Sequence, residues 1–379
     1  MGKLIPFNVP YVSEASKAYV LEALESNHQQ GDGPFTAKAS KLVSDLVGGG
    51  HVLLTPSCTH ALEMASMLTN LGPGDEVILP SYTFTSAATA VAKFGATPIF
   101  VDIEMETKGI DVNQVREAIT SKTKAISWVN YAGVAPDIEG LQSLAKEFNL
   151  LLIEDNAHGL GGSYRGRPLG SFGDFATQSF HASKNFQCGE GGALVINNPK
   201  FIERAEIIRE KGTDRSRFIR GEVQKYQWVD QGSSYLLAES LAAILLGQLE
   251  AFLEIIEKRR EIFWYYIRNV DWIRNIIQTT TLEQLIESAH LFPILAKDKI
   301  SRDISIEKLK NFGITAVTHY QPLGSSVGAK ITGSISLPTL NSKVLSSRLY
   351  RLPVYFGITQ KELDDVVQAL NLLEIRDLH

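Results

Sequence analysis

Two features of the central sequence could carry polar chemistry. The apolar run 150–153 ends in Glu154 and Asp155, and a carboxylate at the carboxyl end of a buried parallel strand faces the crevice where ligands bind. Lys184 lies between a second apolar run and the Gly-rich segment 189–192. A single lysine is most often solvated, but this setting favours one that points inward. Because burial disfavours the ammonium form, such a lysine becomes a nucleophile that forms an imine with an aldehyde.

A hydroxyl-rich segment adds a third feature. Ser57, Cys58 and Thr59 follow an apolar run and precede a helical pattern. Free N–H groups at a helix N-terminus bind anions, although a simple Ser or Thr cap is the more common role. Pyridoxal 5'-phosphate needs a lysine for its aldehyde, a carboxylate for its pyridinium nitrogen and an anion site for its phosphate. The three features together predict a site for this cofactor.

Sequence signatures of other cofactors are missing. There is no G-x-x-x-x-G-K-[ST] motif, which excludes a P-loop. Segment 159–162 begins like a dinucleotide-binding fingerprint but is followed by Tyr164 where a third glycine is needed, which disfavours a dehydrogenase. The eight histidines lack the spacing of metal ligands, so we expect no metal site.

Composition limits the class of protein. The 379 residues include 37 Lys and Arg against 42 Asp and Glu, a net charge of −5, which argues against a nucleic-acid partner. The two cysteines suit a reducing compartment. No secretory signal is visible, and the longest apolar stretch, 236–253, contains Glu239, Gln248 and Glu250 and is too polar to span a bilayer. We therefore expect a cytoplasmic protein without a membrane span.

Short apolar runs alternate with helical patterns over the first two-thirds of the chain. The predicted strands are 52–55, 76–79, 97–103, 125–130, 150–154, 175–180 and 193–196, and the predicted helices are 59–70, 84–94, 111–120 and 138–148. This alternation is typical of βαβ units in a parallel sheet covered by helices on both faces. After about residue 235 the pattern predicts one or two long helices, 236–273, and then shorter elements. We expect an α/β fold with a large domain at 1–240 and a smaller C-terminal α+β domain at 241–379.

Eight different short motifs are spread over nearly the whole chain, at 31–33, 55–59, 80–84, 154–158, 179–185, 189–192, 319–323 and 352–353. Together they resemble the DegT/DnrJ/EryC1 family of pyridoxal-phosphate-dependent sugar aminotransferases. The resemblance implies PLP fold type I, the aspartate aminotransferase-like fold, with a mostly parallel central sheet. It also implies a homodimer with the active site at its interface. Some relatives have His in place of the lysine and act as dehydratases, so Lys184 favours transamination.

The resemblance implies roles for the matching residues. Lys184 is expected to bind the cofactor aldehyde and to move protons, and Asp155 to keep the pyridinium nitrogen protonated. Phe84 is expected to stack on the ring, and His158 to lie near the ring 3-oxygen. The phosphate is expected to be held by Ser57, Cys58, Thr59 and Ser179, partly through backbone N–H groups.

Other positions depart from the family pattern or concern the substrate. Ser234 stands where many relatives have an Asn that reaches the cofactor phosphate across the dimer interface, and it can still donate one hydrogen bond. Asn130 replaces a His of many relatives and is given no role. His319 is expected near the sugar. Segment 211–220 is either a solvated loop or a site for the substrate diphosphate, which suits the guanidinium groups of Arg215, Arg217 and Arg220.

Within the family, stretches 53–59, 204–213 and 232–236 are most similar to enzymes that aminate C4 of a dTDP-linked keto sugar. The implied reaction moves the amino group of L-glutamate to C4 of dTDP-4-dehydro-6-deoxy-D-glucose and gives dTDP-4-amino-4,6-dideoxy-D-galactose. Two alternatives stay open. One is a gluco-forming C4 or a C3 nucleotide-sugar aminotransferase, and the other is a non-catalytic regulator that binds pyridoxal phosphate or a sugar nucleotide.

Overall fold

The computed structural model describes residues 4–276 and 279–373. The helices are α1 (Glu14–Glu25), α2 (Pro34–Leu46), α3 (Cys58–Leu68), α4 (Thr85–Ala92), α5 (Val112–Ala118), α6 (Ile138–Phe148), α7 (Ile202–Arg209), α8 (Arg215–Ile219), α9 (Glu239–Glu250), α10 (Phe252–Asn269), α11 (Asp271–Ile276), α12 (Thr279–Ser288), α13 (Lys299–Asn311), α14 (Val327–Ile331), α15 (Leu340–Arg348) and α16 (Gln360–Asn371). The strands are β1 (His51–Thr55), β2 (Glu76–Pro80), β3 (Thr97–Val101), β4 (Thr123–Val129), β5 (Leu151–Asp155), β6 (Ser163–Tyr164), β7 (Arg167–Pro168), β8 (Phe175–Ser179), β9 (Gly192–Ile196), β10 (Phe292–Leu295), β11 (Ile335–Ser336) and β12 (Leu349–Leu352).

An eight-stranded sheet forms the centre of the fold, in the order β1-β9-β8-β5-β4-β2-β3-β11. Strand β9 pairs antiparallel with β1 and β8, whereas the other neighbouring pairs are parallel. The predicted α/β class with a mostly parallel sheet is confirmed. Because the carboxyl ends of parallel strands meet at one edge of a sheet, the carboxyl ends of β1, β4, β5 and β8 lie at the same edge.

The hydrophobic pattern predicted strands β1 to β5, β8 and β9 to within two residues at each end. The four predicted helices are present as α3 to α6. The predicted helical stretch 236–273 is divided into α9, α10 and the start of α11. Within the described part of the chain, every helix is too short or too polar to act as a membrane span.

Helix α9 packs against the two N-terminal helices, α1 and α2. The buried carboxylate of Glu239 accepts hydrogen bonds from the backbone N–H groups of Gly33 (3.0 Å), Phe35 (2.9 Å) and Thr36 (3.0 Å), and this negative charge suits the N-terminus of α2.

The predicted domain boundary at residue 240 falls inside α9, and β11 adds to the sheet beside β3. Strands β10 and β12 form a separate antiparallel pair. The division into 1–240 and 241–379 stays a prediction.

Strand β9 approaches the beginning of α3 closely. Its first residue, Gly192, pairs with Thr55 at the end of β1 and with Ser179 at the end of β8. A Cβ atom on Gly192 would lie 2.4 Å from the backbone N of Cys58 and 2.4 Å from the carbonyl carbon of Ser57. Glycine is therefore required at position 192 for α3 to begin where it does.

We expect Gly192→Ala to lower the free energy of unfolding by about 1–3 kcal/mol, because the added methyl group must displace packed backbone. Urea denaturation followed by circular dichroism measures the change. Gly357→Ala is the control, since a Cβ there meets nothing within 4 Å. Equal stability of the two variants would contradict the close approach of β9 to α3.

Candidate active site

A cavity of about 590 Å³ lies at the edge where the strands end. The predicted site residues that line it are Ser57, Cys58, Thr59, Phe84, Asp155, His158, Ser179, Lys184 and His319. They come from the ends of β1, β5 and β8, from the starts of α3 and α4, and from the C-terminal part of the chain. Residues far apart in sequence thus line one cavity.

Lys184 follows β8 in a tight turn, in which its backbone N–H donates to the carbonyl of His181 at 2.8 Å. The side chain is partly accessible and lines the cavity. Burial lowers the pKa of Lys184 to about 8, against the attraction of the Asp155 carboxylate. An amine with this pKa is available in both protonation states near neutral pH, as a nucleophile and proton carrier must be.

Asp155 is the last residue of β5 and is buried. Its Oδ1 accepts a hydrogen bond from the backbone N–H of Ala157 at 3.1 Å. Burial raises the pKa of Asp155, while that hydrogen bond and the positive charge of Lys184 act in the opposite direction. A cationic N–H group bound in the cavity would favour the ionised carboxylate further.

The start of α3, the predicted anion site, also lines the cavity. Ser57 caps this helix, and its Oγ accepts from the backbone N–H of His60 at 3.2 Å. The first N–H groups of a helix have no acceptor inside the helix, and those of Cys58 and Thr59 belong to this turn. Thr59 is oriented by a 2.7 Å hydrogen bond between its hydroxyl and that of Ser86.

An aromatic and imidazole cluster covers another wall. His158 Nδ1 accepts from the backbone N–H of Ala132 at 3.3 Å, so the neutral ring carries its proton on Nε2, which lies 3.0 Å from the Tyr320 hydroxyl. The Tyr131 hydroxyl lies 2.8 Å from His319 Nδ1. Burial lowers the pKa of His158 well below its ordinary value, and it lowers that of His319 to about 2. Both imidazoles are therefore neutral hydrogen-bonding groups at physiological pH.

Several further residues of the cavity have no predicted role, among them Tyr320, Arg351 and His290. Tyr320 lies within the 319–323 motif and Arg351 directly precedes the 352–353 motif, so the motifs could have drawn attention to both. His290 has no sequence signal. Its Nδ1 lies 2.9 Å from the side-chain oxygen of Asn185, which fixes the residue next to Lys184.

The remaining predicted residues lie outside this cavity wall. Ser234 is exposed and pairs through its backbone with Glu210. The arginines of segment 211–220 form ion pairs, Arg215 with Glu210 (3.2 Å), Arg217 with Glu222 (3.3 Å) and Arg220 with Glu206 (2.7 Å). Their roles toward phosphate and diphosphate stay predictions.

Asn130, to which the sequence gave no role, is buried at the end of β4. Its side-chain amide donates to Glu154 Oε1 and to Asn156 Oδ1, both at 2.8 Å, and its oxygen accepts from the Trp128 indole at 3.0 Å. These bonds satisfy the polar groups behind Asp155, so Asn130 supports the end of β5 rather than lining the cavity.

The donor set of the cavity fits pyridoxal 5'-phosphate. A buried carboxylate is available for a cationic ring nitrogen, a lysine with lowered pKa for the aldehyde, and the N-terminus of an eleven-residue helix for the phosphate. The fold and this set of residues define an aminotransferase that depends on pyridoxal phosphate.

Comparison with known proteins identifies the family. The profile of the DegT/DnrJ/EryC1/StrS aminotransferase family matches residues 10–371, and the chain belongs to this family. Uncharacterized protein MJ1066 of Methanocaldococcus jannaschii is 32% identical over 375 residues, which are 97% of this chain and 96% of that protein. The predicted class, a pyridoxal-phosphate-dependent sugar aminotransferase, is confirmed.

Solved structures agree in fold over almost the full length. The putative sugar aminotransferase Spr1654 from Streptococcus pneumoniae, in its PMP form, is 26% identical with a TM-score of 0.88, over 99% of this chain and 98% of that chain. DesI, solved in the presence of its TDP-sugar product, is 26% identical with a TM-score of 0.86, over 97% of this chain and 92% of that chain.

In the cofactor-free protein we expect Lys184 to titrate near pH 8, because burial destabilises its ammonium form. Competitive acetylation at a series of pH values, read by mass spectrometry, measures this. Asp155→Asn removes the charge that favours the ammonium form, so the midpoint should move to lower pH.

The control is Glu147→Gln, which removes an exposed carboxylate paired with Arg116 and should leave the midpoint in place. Acetylation of Lys184 that rises only near pH ~10.4, the value of a solvated lysine, would contradict its burial.

Proposed function

We propose that this protein transfers the amino group of L-glutamate to C4 of dTDP-4-dehydro-6-deoxy-D-glucose and releases dTDP-4-amino-4,6-dideoxy-D-galactose. The observation that carries the amino transfer is the convergence of Lys184, Asp155 and the start of α3 on one cavity. A sugar nucleotide as acceptor is supported by the similarity to DesI and its TDP-sugar product. The choice of C4 and of the galacto product rests on the sequence stretches 53–59, 204–213 and 232–236.

The cofactor, when bound, supplies an aldehyde for the amine and a ring that withdraws electrons. Asp155 would pair with its ring nitrogen, and Phe84 and His158 would contact the ring. Ser57, Cys58, Thr59 and Ser179 would hold the phosphate. These groups line the same cavity as Lys184, so the site binds the cofactor and the reacting carbon together.

Lys184 would carry the proton in both halves of the reaction. Its Nζ would move a proton from Cα of L-glutamate to the cofactor and, in the second half, from the cofactor to C4 of the sugar. A pKa of about 8 suits both transfers, because the protonated and the neutral amine are both accessible near neutral pH. Asp155 would hold its negative charge throughout, because the opposite charge of a ring N–H favours the ionised form.

The configuration at C4 depends on which face of the flat C4 centre is turned toward Lys184. His319 lines the cavity and is held by Tyr131, and we propose that it contacts the sugar. One face gives an axial amine, the galacto product, and the other gives an equatorial amine, the gluco product.

We also propose a homodimer with the active site at its interface. Segment 211–235 exposes apolar side chains, including Trp228 with 80% of its surface accessible, as expected of a surface that another chain covers. In such a dimer Ser234 would reach the partner's cofactor phosphate, and the three arginines of this segment would reach the substrate diphosphate. Sedimentation of a monomer would contradict this arrangement.

The proposed location is the cytoplasm. Cys58 and Cys188 are both free, which suits a reducing compartment. Fractionation of cells with an antibody against the protein tests this location.

Incubation with pyridoxal phosphate, L-glutamate and dTDP-4-dehydro-6-deoxy-D-glucose should give a 4-amino sugar. Proton NMR of the product should show a small H3–H4 coupling, because the proposed amine is axial. A large coupling would overturn the galacto configuration and assign the enzyme to the gluco-forming branch, with the same substrate. An incubation that yields no aminated sugar would overturn the proposed 4-keto substrate, and a 3-keto sugar would be tested next.

We expect Lys184→Ala to reduce turnover by at least about 10²–10⁴-fold, because no other group in the cavity replaces the proton carrier. Lys146→Ala, on the exposed face of α6, is the matched control and should keep wild-type turnover. Mixing the wild-type enzyme with L-glutamate should convert the cofactor absorbance from the aldehyde form to the amine form. An unchanged spectrum would favour the non-catalytic regulator instead.

A further inference from the structure

The turn that carries Lys184 is tied to a distant part of the chain, residues 288–290. The side-chain amide of Asn185, the residue after Lys184, donates to the carbonyl of Ser288 at 2.7 Å. The oxygen of the same amide lies 2.9 Å from Nδ1 of His290. Both ends of the Asn185 side chain therefore contact a segment that lies 103 to 105 residues further along the chain.

These two contacts determine which nitrogen of His290 carries the ring proton. The amide nitrogen of Asn185 is occupied by the Ser288 carbonyl, so the atom that faces His290 is the amide oxygen. An amide oxygen can only accept, and Nδ1 of His290 is therefore the protonated nitrogen. Burial lowers the pKa of His290 well below its ordinary value, and the positive charges of Lys184, Arg259 and Arg351 act in the same direction. The ring is thus neutral, with a lone pair on Nε2.

Segment 288–290 is itself held from two sides. The Ser288 hydroxyl donates to the carbonyl of Ala132 at 2.8 Å, in the loop after β4. The buried guanidinium group of Arg259 in α10 donates to the carbonyls of Ala289 at 2.8 Å and His290 at 2.6 Å. Asn185 consequently binds to a part of the backbone that has little freedom to move.

The other hydrogen bonds of the lysine turn are local. The N–H of Lys184 donates to the carbonyl of His181 at 2.8 Å, and the His181 ring contacts the Ser183 hydroxyl at 2.9 Å. Contacts of this kind shape the turn but do not set its position relative to the rest of the cavity. The amide of Asn185 does, because it connects the residue next to Lys184 to segment 288–290.

We propose that Asn185 is a positioning residue, which together with His290 and the Ser288 carbonyl fixes the place of Lys184 in the cavity. A lysine that serves two carbon atoms in turn must lie close to each of them, and a displacement of about 1 Å can slow such a step by as much as about 10²-fold. This inference rests on the proposed proton transfer by Lys184. The hydrogen bonds of Asn185, in contrast, belong to the cofactor-free protein and can be tested without any reaction.

The first test is nitrogen NMR of the cofactor-free wild-type protein with ¹⁵N-labelled histidine. The ¹⁵N chemical shift separates a protonated ring nitrogen from an unprotonated one, and the signals of His290 are assigned by their loss in His290→Asn. We expect a proton on Nδ1 of His290 and none on Nε2. A proton on Nε2 would overturn the proposal even if every variant of Asn185 failed to fold. In Asn185→Ala the acceptor is gone, so the preference for Nδ1 should be lost.

The second test is the rate of the half-reaction with L-glutamate, read from the absorbance of the bound cofactor. Asn185→Ala should slow the maximal rate about 10- to 100-fold, because Lys184 is no longer held in place. The L-glutamate concentration that gives half of this rate should stay unchanged, because Asn185 is not proposed to touch the donor. Asn113→Ala, at an exposed position of α5, is the matched control and should react like the wild type.

A wild-type maximal rate in Asn185→Ala would overturn the proposal. A higher half-saturating concentration at an unchanged maximal rate would assign Asn185 to donor binding and would overturn it as well. Absence of any reaction of the wild-type enzyme with L-glutamate would instead contradict the proposed amino transfer, and the tautomer of His290 would still report on the contact with Asn185. The two failures are therefore distinguishable.

Two substitutions of His290 separate its contact with Asn185 from other uses of the ring. His290→Asn keeps an amide N–H close to the place of Nδ1 and can still donate to Asn185, whereas His290→Phe keeps a ring without a donor. The half-reaction of His290→Asn should be faster than that of His290→Phe by about tenfold, the effect of one hydrogen bond. Equal rates in the two variants would mean that the imidazole acts through something other than Asn185 and would overturn the proposal.

Discussion

The removal of water from charged groups at one edge of the sheet is the constraint on which the site depends. Lys184, Asp155 and Arg351 share a single cavity, and burial shifts the pKa of each toward the neutral form. The positions of Asp155 and Arg351 then determine how strongly the charged form of Lys184 is favoured. Asp155 supports the cation of Lys184, whereas Arg351 opposes it. The lysine is thus held near the balance between its two protonation states, which is the property that proton transfer requires.

The sheet places these groups with little freedom. Asp155 ends β5, Ser179 ends β8 and Thr55 ends β1, so the strand ends define one side of the cavity. The antiparallel strand β9 fills the space between β1 and β8, and it fits only because Gly192 has no side chain to meet the start of α3. The position of the anion site relative to Asp155 therefore follows from strand register and from one glycine, rather than from flexible loops.

The imidazole and phenol groups show how the second half of the chain completes the site. His158 belongs to the loop after β5, yet its Nε2 contacts Tyr320, and His319 contacts Tyr131. Loss of hydration keeps both imidazoles neutral, so they shape the cavity through directed hydrogen bonds without adding charge. Any change in the packing of the segment around His319 would consequently alter the walls near Lys184.

Local patterns in the sequence determined strands β1 to β5, β8 and β9 and the cap of α3 at Ser57, and they singled out Lys184 and Asp155 as candidates for the chemistry. Such features depend on side-chain periodicity and on contacts within a few residues. Strand β11 in the central sheet, the contact of His290 with Asn185, and the position of Arg351 in the cavity came only from the tertiary structure. They depend on contacts between distant segments, for which a single sequence carries no local signal, because burial and charge pairing are set by the whole fold.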